Sequence, residues 1–356
     1  MIDNKRIRWM DFARTFAIIS VILCHSVESV YSMNMEEWNV LSSLSKIFNI
    51  VSHTAGRLGV PIFIFLSGAL LLSKDIDRNE DVIKFYKHNL LPLFLAVEIW
   101  NIIYDIFLYT FKLEEIKFTT VINNLLFFEQ VKMSHMWYMP MILGIYLAVP
   151  FVAYIIKKFS GRVLAFPIII VFVASIIVPN TNIVFTMLNK PIHNIILDLS
   201  YCGGVYGVYL ILGYYVNKNI LKNISTLKII LGALAFYVFT VVFQIYINNN
   251  GLNYHVWYDF LGLFLTTLFI FEIFHRMNIN NNIIVNVTRY ISSISLGMYF
   301  IHRPIQMLLC KYISFNGFKM SVSVIIIWVI TVILSVFIIS ILKKISFFSK
   351  WLFIIK

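Results

Sequence analysis

The sequence predicts an all-α fold, a polytopic membrane helix bundle of about ten transmembrane helices with both termini cytoplasmic. Three observations lead there. Of the 356 residues, 60% are hydrophobic and 13% charged, and the mean hydropathy of +0.84 lies outside what a soluble domain carries. The apolar residues gather in runs of about twenty, the length that crosses a bilayer as one helix. Lysine and arginine concentrate in alternate connections between those runs.

The expected spans are residues 9–30, 47–73, 90–111, 136–156, 163–178, 201–216, 227–247, 256–275, 290–310 and 320–342. With a cytoplasmic N-terminus, nineteen of the 29 Lys and Arg fall on the inside and seven on the outside, while Arg14, Arg57 and Arg303 lie within spans. That imbalance sets the orientation and explains the net charge of +12 without any nucleic-acid partner. No appended soluble domain is expected, so residues 1–356 read as a single integral-membrane domain. Cys24, Cys202 and Cys310 lie in apolar runs without paired spacing. They read as small buried hydrophobes, with neither a disulfide framework nor a metal site.

The first span, Trp9 to Val30, follows a basic start (Lys5, Arg6, Arg8) and is too long for a cleaved signal peptide, so it should remain as an anchor. It carries Arg14 and His25 eleven residues apart. At ~100° per residue they share one face, ~16 Å apart along the axis. An intramembrane arginine is costly unless it meets a partner or a wet cavity. Two such residues on one face suggest a polar shaft running from the cytoplasmic side toward mid-membrane. The plainer alternative is that Arg14 snorkels to one surface and His25 caps the other end.

In the second span, Pro61 should kink the helix, and Ser67-Gly68 should let another helix approach closely. His53 and Arg57 are four apart and share a face, as a cavity wall or an interfacial anchor. Residues 73–89 form the most charged connection and are read as a loop. Its end, Lys84, Lys87 and His88, could hold phosphates of a ligand, although positive-inside anchoring produces the same cluster. Glu98 and Asp105, seven apart in the third span, could pair with Arg14 or Arg57. The apolar stretch Leu125–Phe128 could lie in the membrane interface or re-enter. His135, Trp137 and Tyr138 fall at the outer boundary, where an aromatic belt is expected in any case. Asp259, Glu272, His302 and Arg303 are the later polar intramembrane residues.

These landmarks together resemble the integral-membrane acyltransferase family often called acyltransferase 3. Arg14, ten residues, then His25 is similar to its first-helix motif. GVPIFIFLSGALLL resembles its second helix, and HMWYMPMILGIYLAVP its His-x-Trp segment. YLILGYY resembles its glycine-tyrosine segment, and SLGMYFIHRPI the penultimate helix ending in His. The matching set extends from about residue 5 to residue 305. Two departures stand out. Many members carry Arg-x-x-Arg before the third helix, where this chain offers Lys84, Lys87 and His88. Members with an appended esterase-like domain carry acidic residues after His-x-Trp, where this chain has Ile142 and Leu143. The pattern resembles the stand-alone branch that modifies cell-surface polysaccharide, and the nearest acidic candidates to partner His25 are Glu28 and Glu129.

The resemblance implies transfer of an acyl group, most simply acetyl, from cytoplasmic acyl-CoA to a hydroxyl of an extracytoplasmic or lipid-linked carbohydrate. It places the protein in a bacterial plasma membrane. Acyl-CoA would be a co-substrate, with no permanently bound cofactor and no metal. The histidine chemistry suits a general base. His25 would take the hydroxyl proton directly, with an acyl relay through Ser67 or Tyr138 as the alternative. Arg14 would hold the donor or stabilise charge on the thioester carbonyl. Lys84, Lys87 and His88 would meet the CoA phosphates. His53, Arg57, Ser67, Glu129, His135, Trp137, Tyr138 and His302 would line the cavity or acceptor side. The competing class is a transporter of a small solute or glycan using the same polar shaft. The absence of a convincing internal repeat counts mildly against it. A purely structural membrane subunit leaves the intramembrane charges without a purpose.

Overall fold

The computed structural model describes residues 7–115, 117–129, 133–315 and 317–355. Lys5, Arg6, Lys132 and Lys356, which carry part of the expected charge asymmetry, lie outside the described residues. Among those described, the chain is helical without a strand. A helical rod stands at each of the ten expected spans: α1 (Arg8–Val30), α2 (Ser43–Leu71), α3 (Asn79–Thr110), α4 (Ser134–Lys158), α5 (Gly161–Met187), α6 (Gly204–Asn217), α7 (Thr226–Asn249), α8 (Leu261–Arg276), α9 (Asn282–Tyr312) and α10 (Met320–Leu342).

Seven of these rods are long and apolar enough to cross a membrane: α1 to α5, α7 and α10. The expected ten meets that standard incompletely, for physical reasons. α6 has 14 residues and α8 has 16, short of the roughly twenty a crossing needs. α8 starts five residues later than the apolar run because the stretch before it is not helical. There Val256, Tyr258 and Phe260 are buried in a non-helical stretch that turns at Tyr258 and Asp259. Asn180 of α5 holds that chain, donating to Asp259 O at 2.7 Å and accepting from Leu261 N at 3.0 Å. α9 has 31 residues, ample length, and is more polar because one face serves the interior.

α1 is the central rod. It packs against α2, α8, α9 and α10, and Ala13, Ala17, Ile18 and Ile22 on it are fully buried. It is stitched to α9 by polar groups that hydrocarbon would otherwise leave unsatisfied. Thr15 donates to Thr288 O at 2.9 Å, Ser292 to Asp11 at 2.6 Å, and Gln306 to Ile22 O at 3.1 Å and Ser26 at 2.9 Å. α2 is two helical halves, Ser43–Arg57 and Gly59–Leu71. The break falls at Leu58, so Pro61 sits in a first turn, where its missing N–H is tolerated. The expected close approach at Gly68 is present. A Cβ there would meet Leu210 O at 1.8 Å, and one at Gly213 would meet Phe65 O at 2.1 Å. α2 and α6 are thus in backbone contact.

Residues 73–89 are not simply a loop. The chain becomes helical at Asn79, where Arg78 and Asp81 form a capping box, and continues through the π-turn Tyr86–Leu90 into the rest of α3. Lys84, Lys87 and His88 therefore stand on a continuous rod. The connections expected on the inside do meet on one side of the bundle. Arg8 donates to Ile279 O, Arg276 to Leu221 O and Ile224 O, Lys157 to Asp75, and Asn217 to Ser73. Those expected outside meet at the opposite end, where Tyr31 pairs with Ser45, His255 with Met33 O, Trp38 with Asn249, and Lys311 with Phe111 O.

Candidate functional site

Arg14 and His25 open onto two separate spaces. Arg14 lines a chamber of about 360 Å³ together with Ser67, His88, Asn89, Tyr146, Ser292, Ser293 and Ser295. His25 lines a void of about 20 Å³ with Cys24, Arg57, His135, Trp137 and Tyr258. Tyr138 and Tyr299 line both, and their rings lie 5.7 Å apart. The polar shaft is therefore two compartments parted by two tyrosines.

The densest polar constellation surrounds Glu28, one turn beyond His25. Its Oε2 accepts from His25 Nδ1 at 2.7 Å. Its Oε1 accepts from His53 Nε2 and Arg57 Nη2, each at 3.3 Å, and faces the Cys24 thiol at 3.6 Å. Arg57 also lies 4.4 Å from the Trp257 ring centre and donates to the Tyr258 hydroxyl at 3.4 Å, an aromatic setting suited to a buried guanidinium. α1 and the first half of α2 supply this group because they pack along their lengths with small residues between them. Cys24, Glu28 and His53 hold metal-binding atoms within 4.8 Å of one another. The Arg57 guanidinium already holds the same Glu28 oxygen at 3.3 Å.

Three imidazoles converge here. The His25 ring is 5.3 Å from that of His302 and 6.2 Å from that of His135, and His135 and His302 are 4.9 Å apart. Their partners fix their neutral tautomers. A carboxylate can only accept, so His25 carries its proton on Nδ1 and presents a bare Nε2. His302 Nδ1 meets Tyr299 O at 2.6 Å, so its bare nitrogen is Nε2. Tyr104 spends its hydroxyl proton on Phe300 O at 2.7 Å, and must accept from His135 Nε2 at 3.2 Å. The bare nitrogen of His135 is thus Nδ1. His135 Nδ1 and His302 Nε2 are buried without a hydrogen-bond partner among the described residues. A buried acceptor without a donor is unfavourable, so these nitrogens can take a hydrogen bond from a hydroxyl placed between them.

A family model described as an acyltransferase domain, Acyl_transf_3, matches residues 7–344. The chain belongs to the acyltransferase 3 family. No curated protein and no solved structure matches it. It is accordingly a multi-pass membrane protein of an acyltransferase family, and the two compartments are read below in that light.

For this acyltransferase, the structure brings His25, His53, Arg57, His135, Trp137, Tyr138 and His302 into one neighbourhood, and puts Arg14, Ser67 and His88 around the adjoining chamber. Other expectations need correction. Glu129 is exposed and accepts from Asn123 at 2.9 Å on the outer connection; the carboxylate on His25 is Glu28. Lys84 is exposed, and Lys87 borders an apolar side groove with Phe94 and Phe127. Of that basic trio, His88 alone is among the chamber-lining residues. Asp105 accepts from Asn124, and the Arg57 partner is Glu28, so the suggested pairing of Asp105 with Arg57 does not form. Glu98 keeps a buried oxygen without a hydrogen-bond partner. Cys24 is buried, whereas Cys310 is exposed.

Trp257, Tyr258, Tyr299 and Tyr104 were not singled out from the sequence. Trp257 and Tyr258 lie in a stretch whose apolar pattern reads as the start of a helix. Tyr104 and Tyr299 carry no spacing signal, because their roles arise from partners 31 and 164 residues away. Glu28 was discernible, standing one turn from His25.

Proposed function

We propose that this protein transfers a small acyl group, acetyl in the simplest case, from acyl-CoA to a hydroxyl of a cell-surface or lipid-linked carbohydrate, with His25 as the general base. The observation that carries the reading is the Glu28–His25 pair at 2.7 Å, aimed at a void between a polar chamber and an aromatic rim. The basic side of the bundle is taken as cytoplasmic, in a bacterial plasma membrane, so the chamber receives the donor. The thioester would lie beyond Arg14, near the two tyrosines. The acceptor would approach past Trp137, Trp257 and Tyr258, since aromatic faces stack well on sugar rings.

In the reaction, the acceptor oxygen attacks the thioester carbonyl as its proton passes to His25 Nε2. The C–S bond then breaks, and the departing CoA thiolate takes that proton back from the imidazolium. Glu28 fixes the tautomer and stabilises the cationic ring. Arg57 and the Tyr138 hydroxyl border the same void and are the donors suited to the carbonyl oxygen as it becomes negative. Arg14, ~16 Å along α1 from His25, holds the donor rather than the reacting carbonyl. Ser67 donates to Phe63 O at 3.0 Å within its own helix, which favours direct transfer over a Ser67 relay.

The test is purified protein in detergent or proteoliposomes with acetyl-CoA and a carbohydrate acceptor, following free CoA and ester formation. Flux of a solute without any acyl-CoA consumption would overturn the reading in favour of transport. The partition by Tyr138 and Tyr299 counts against a continuous path.

A further inference from the structure

We infer that the segment after α10, residues 345–355, is part of the donor site and supplies the apolar wall along which the pantetheine arm of acyl-CoA lies. The inference rests on the acyl-CoA reading above. The family match stops at residue 344, so the segment lies beyond it.

A stretch that follows Lys343 and Lys344 is expected to stay at the membrane surface. Instead it winds through the π-turn Phe348–Leu352 and returns to the bundle, with Leu352 and Phe353 each only 2% exposed. Trp100 of α3 anchors it by donating from Nε1 to Leu352 O at 3.1 Å. The same indole stacks on Phe300 at 5.0 Å and meets the Phe353 ring at 6.2 Å. Gly297 of α9 makes room, since a Cβ there would come within 3.0 Å of Phe353 Cδ1. Phe353 and Ile354 then line the chamber that holds Arg14. Ile354 has φ of +50°, a left-handed conformation that a β-branched residue rarely adopts. Such strain persists where the surroundings over-determine it, and it clusters at ligand-contacting positions.

Height along the bundle says which part of the donor meets this wall. Gly297 precedes His302 by five residues, ~7.5 Å along the helix axis. Phe353 therefore stands between the Arg14 level and the imidazole cluster. A thioester near His25, with the nucleotide at the chamber mouth by His88 and Asn89, leaves the pantetheine arm at that height. The arm carries a geminal dimethyl group and two amides. Phe353 and Ile354 suit the first, and the hydroxyl oxygens of Ser292 and Ser293, whose protons go to Asp11 and Tyr290 O, suit the N–H groups of the second.

The experiment compares acetyl-CoA with S-acetylpantetheine as donors for the full-length wild type, Phe353→Ala, Phe353→Leu and Ile354→Gly. The glycine variant removes the side chain while relieving the backbone, which guards against loss by misfolding. Expected is a rise in KM of about tenfold, the scale of one lost apolar contact, equal for both donors, with kcat within about twofold. Phe353→Leu should recover most of the loss. An unchanged KM in folded Phe353→Ala and Ile354→Gly would overturn the assignment and leave the segment as packing. A rise confined to acetyl-CoA would also overturn it, moving the contact to the nucleotide. Failure of the wild type to release thiol from either donor defeats the acyl-CoA reading and this inference with it, and shows before any substitution is made.

Discussion

Glu28→Gln is the most informative single substitution because its outcome follows from the donors around the carboxylate. Oε1 faces the Arg57 guanidinium, His53 Nε2 and the Cys24 thiol, while Oε2 faces His25 Nδ1. Glutamine has one oxygen and one NH2 group. The oxygen belongs on the side of the three donors, since an NH2 there would point at a guanidinium. The NH2 is then directed at His25, which must present a bare Nδ1 and move its proton to Nε2. The base is thereby turned into a donor at the atom that should take the hydroxyl proton. Loss of a general base costs about 10²–10⁴-fold, and an inverted tautomer lies toward the upper end. Losing the charge-assisted bonds to His25 and Arg57 should also lower stability by about 1.5–3 kcal/mol. The assay is acetyl-CoA-dependent ester formation by the purified variant, alongside its thermal midpoint in detergent. A folded Glu28→Gln protein with wild-type turnover would refute the reasoning, because the carboxylate would then not set the state of His25.

The remaining predictions concern the donor, the packing and the topology. His25→Ala should lose transfer by about 10²–10⁴-fold while binding acyl-CoA nearly normally. Arg14→Lys should weaken binding, since an ammonium cannot reproduce the planar fork of donors; calorimetry on both variants decides. His88→Ala should raise the KM for acetyl-CoA more than Lys87→Ala does, because His88 lines the chamber and Lys87 the side groove. Equal effects would remove that distinction. Gly68→Ala should lower the thermal midpoint, with overpacking of at least about 1–3 kcal/mol, because its Cβ would meet backbone at 1.8 Å. A neutral result would mean that α2 and α6 are further apart. Reporter fusions near residues 80, 220 and 282 should read inside, and those near 120, 185 and 250 outside. Any mixed pattern within one set would contradict the two-sided arrangement.

Much of the architecture follows from patterns within short windows. Apolar runs located the ten rods because hydrocarbon requires every backbone polar group to be satisfied within its own segment, which favours a helix in each run. The eleven-residue spacing of Arg14 and His25, and the Ser67-Gly68 pair, were informative because helical geometry is local. The sequence alone could therefore say that one face of the first helix is polar and that Gly68 admits a neighbour. It could not say where the helix before Leu261 fails to form. That depends on Asn180, some eighty residues away, taking up Asp259 O and Leu261 N. It offered Glu28, one turn from His25 on the same helix, beside Glu129, and could not show that the outer connection turns Glu129 to Asn123 at 2.9 Å.

The sequence by itself determined that this chain is a membrane bundle of the acyltransferase 3 type with a polar first helix. Only the tertiary structure decided that the shaft is divided by Tyr138 and Tyr299, that three imidazoles share one space, and that Phe353 returns to the chamber wall. The physical reason is the range of the interactions. Helix periodicity and hydropathy act over one or two turns and can be read from neighbouring residues. Hydrogen bonds such as Tyr104 to His135 and Trp100 to Leu352 join positions 31 and 252 residues apart, and exist only once the rods have packed.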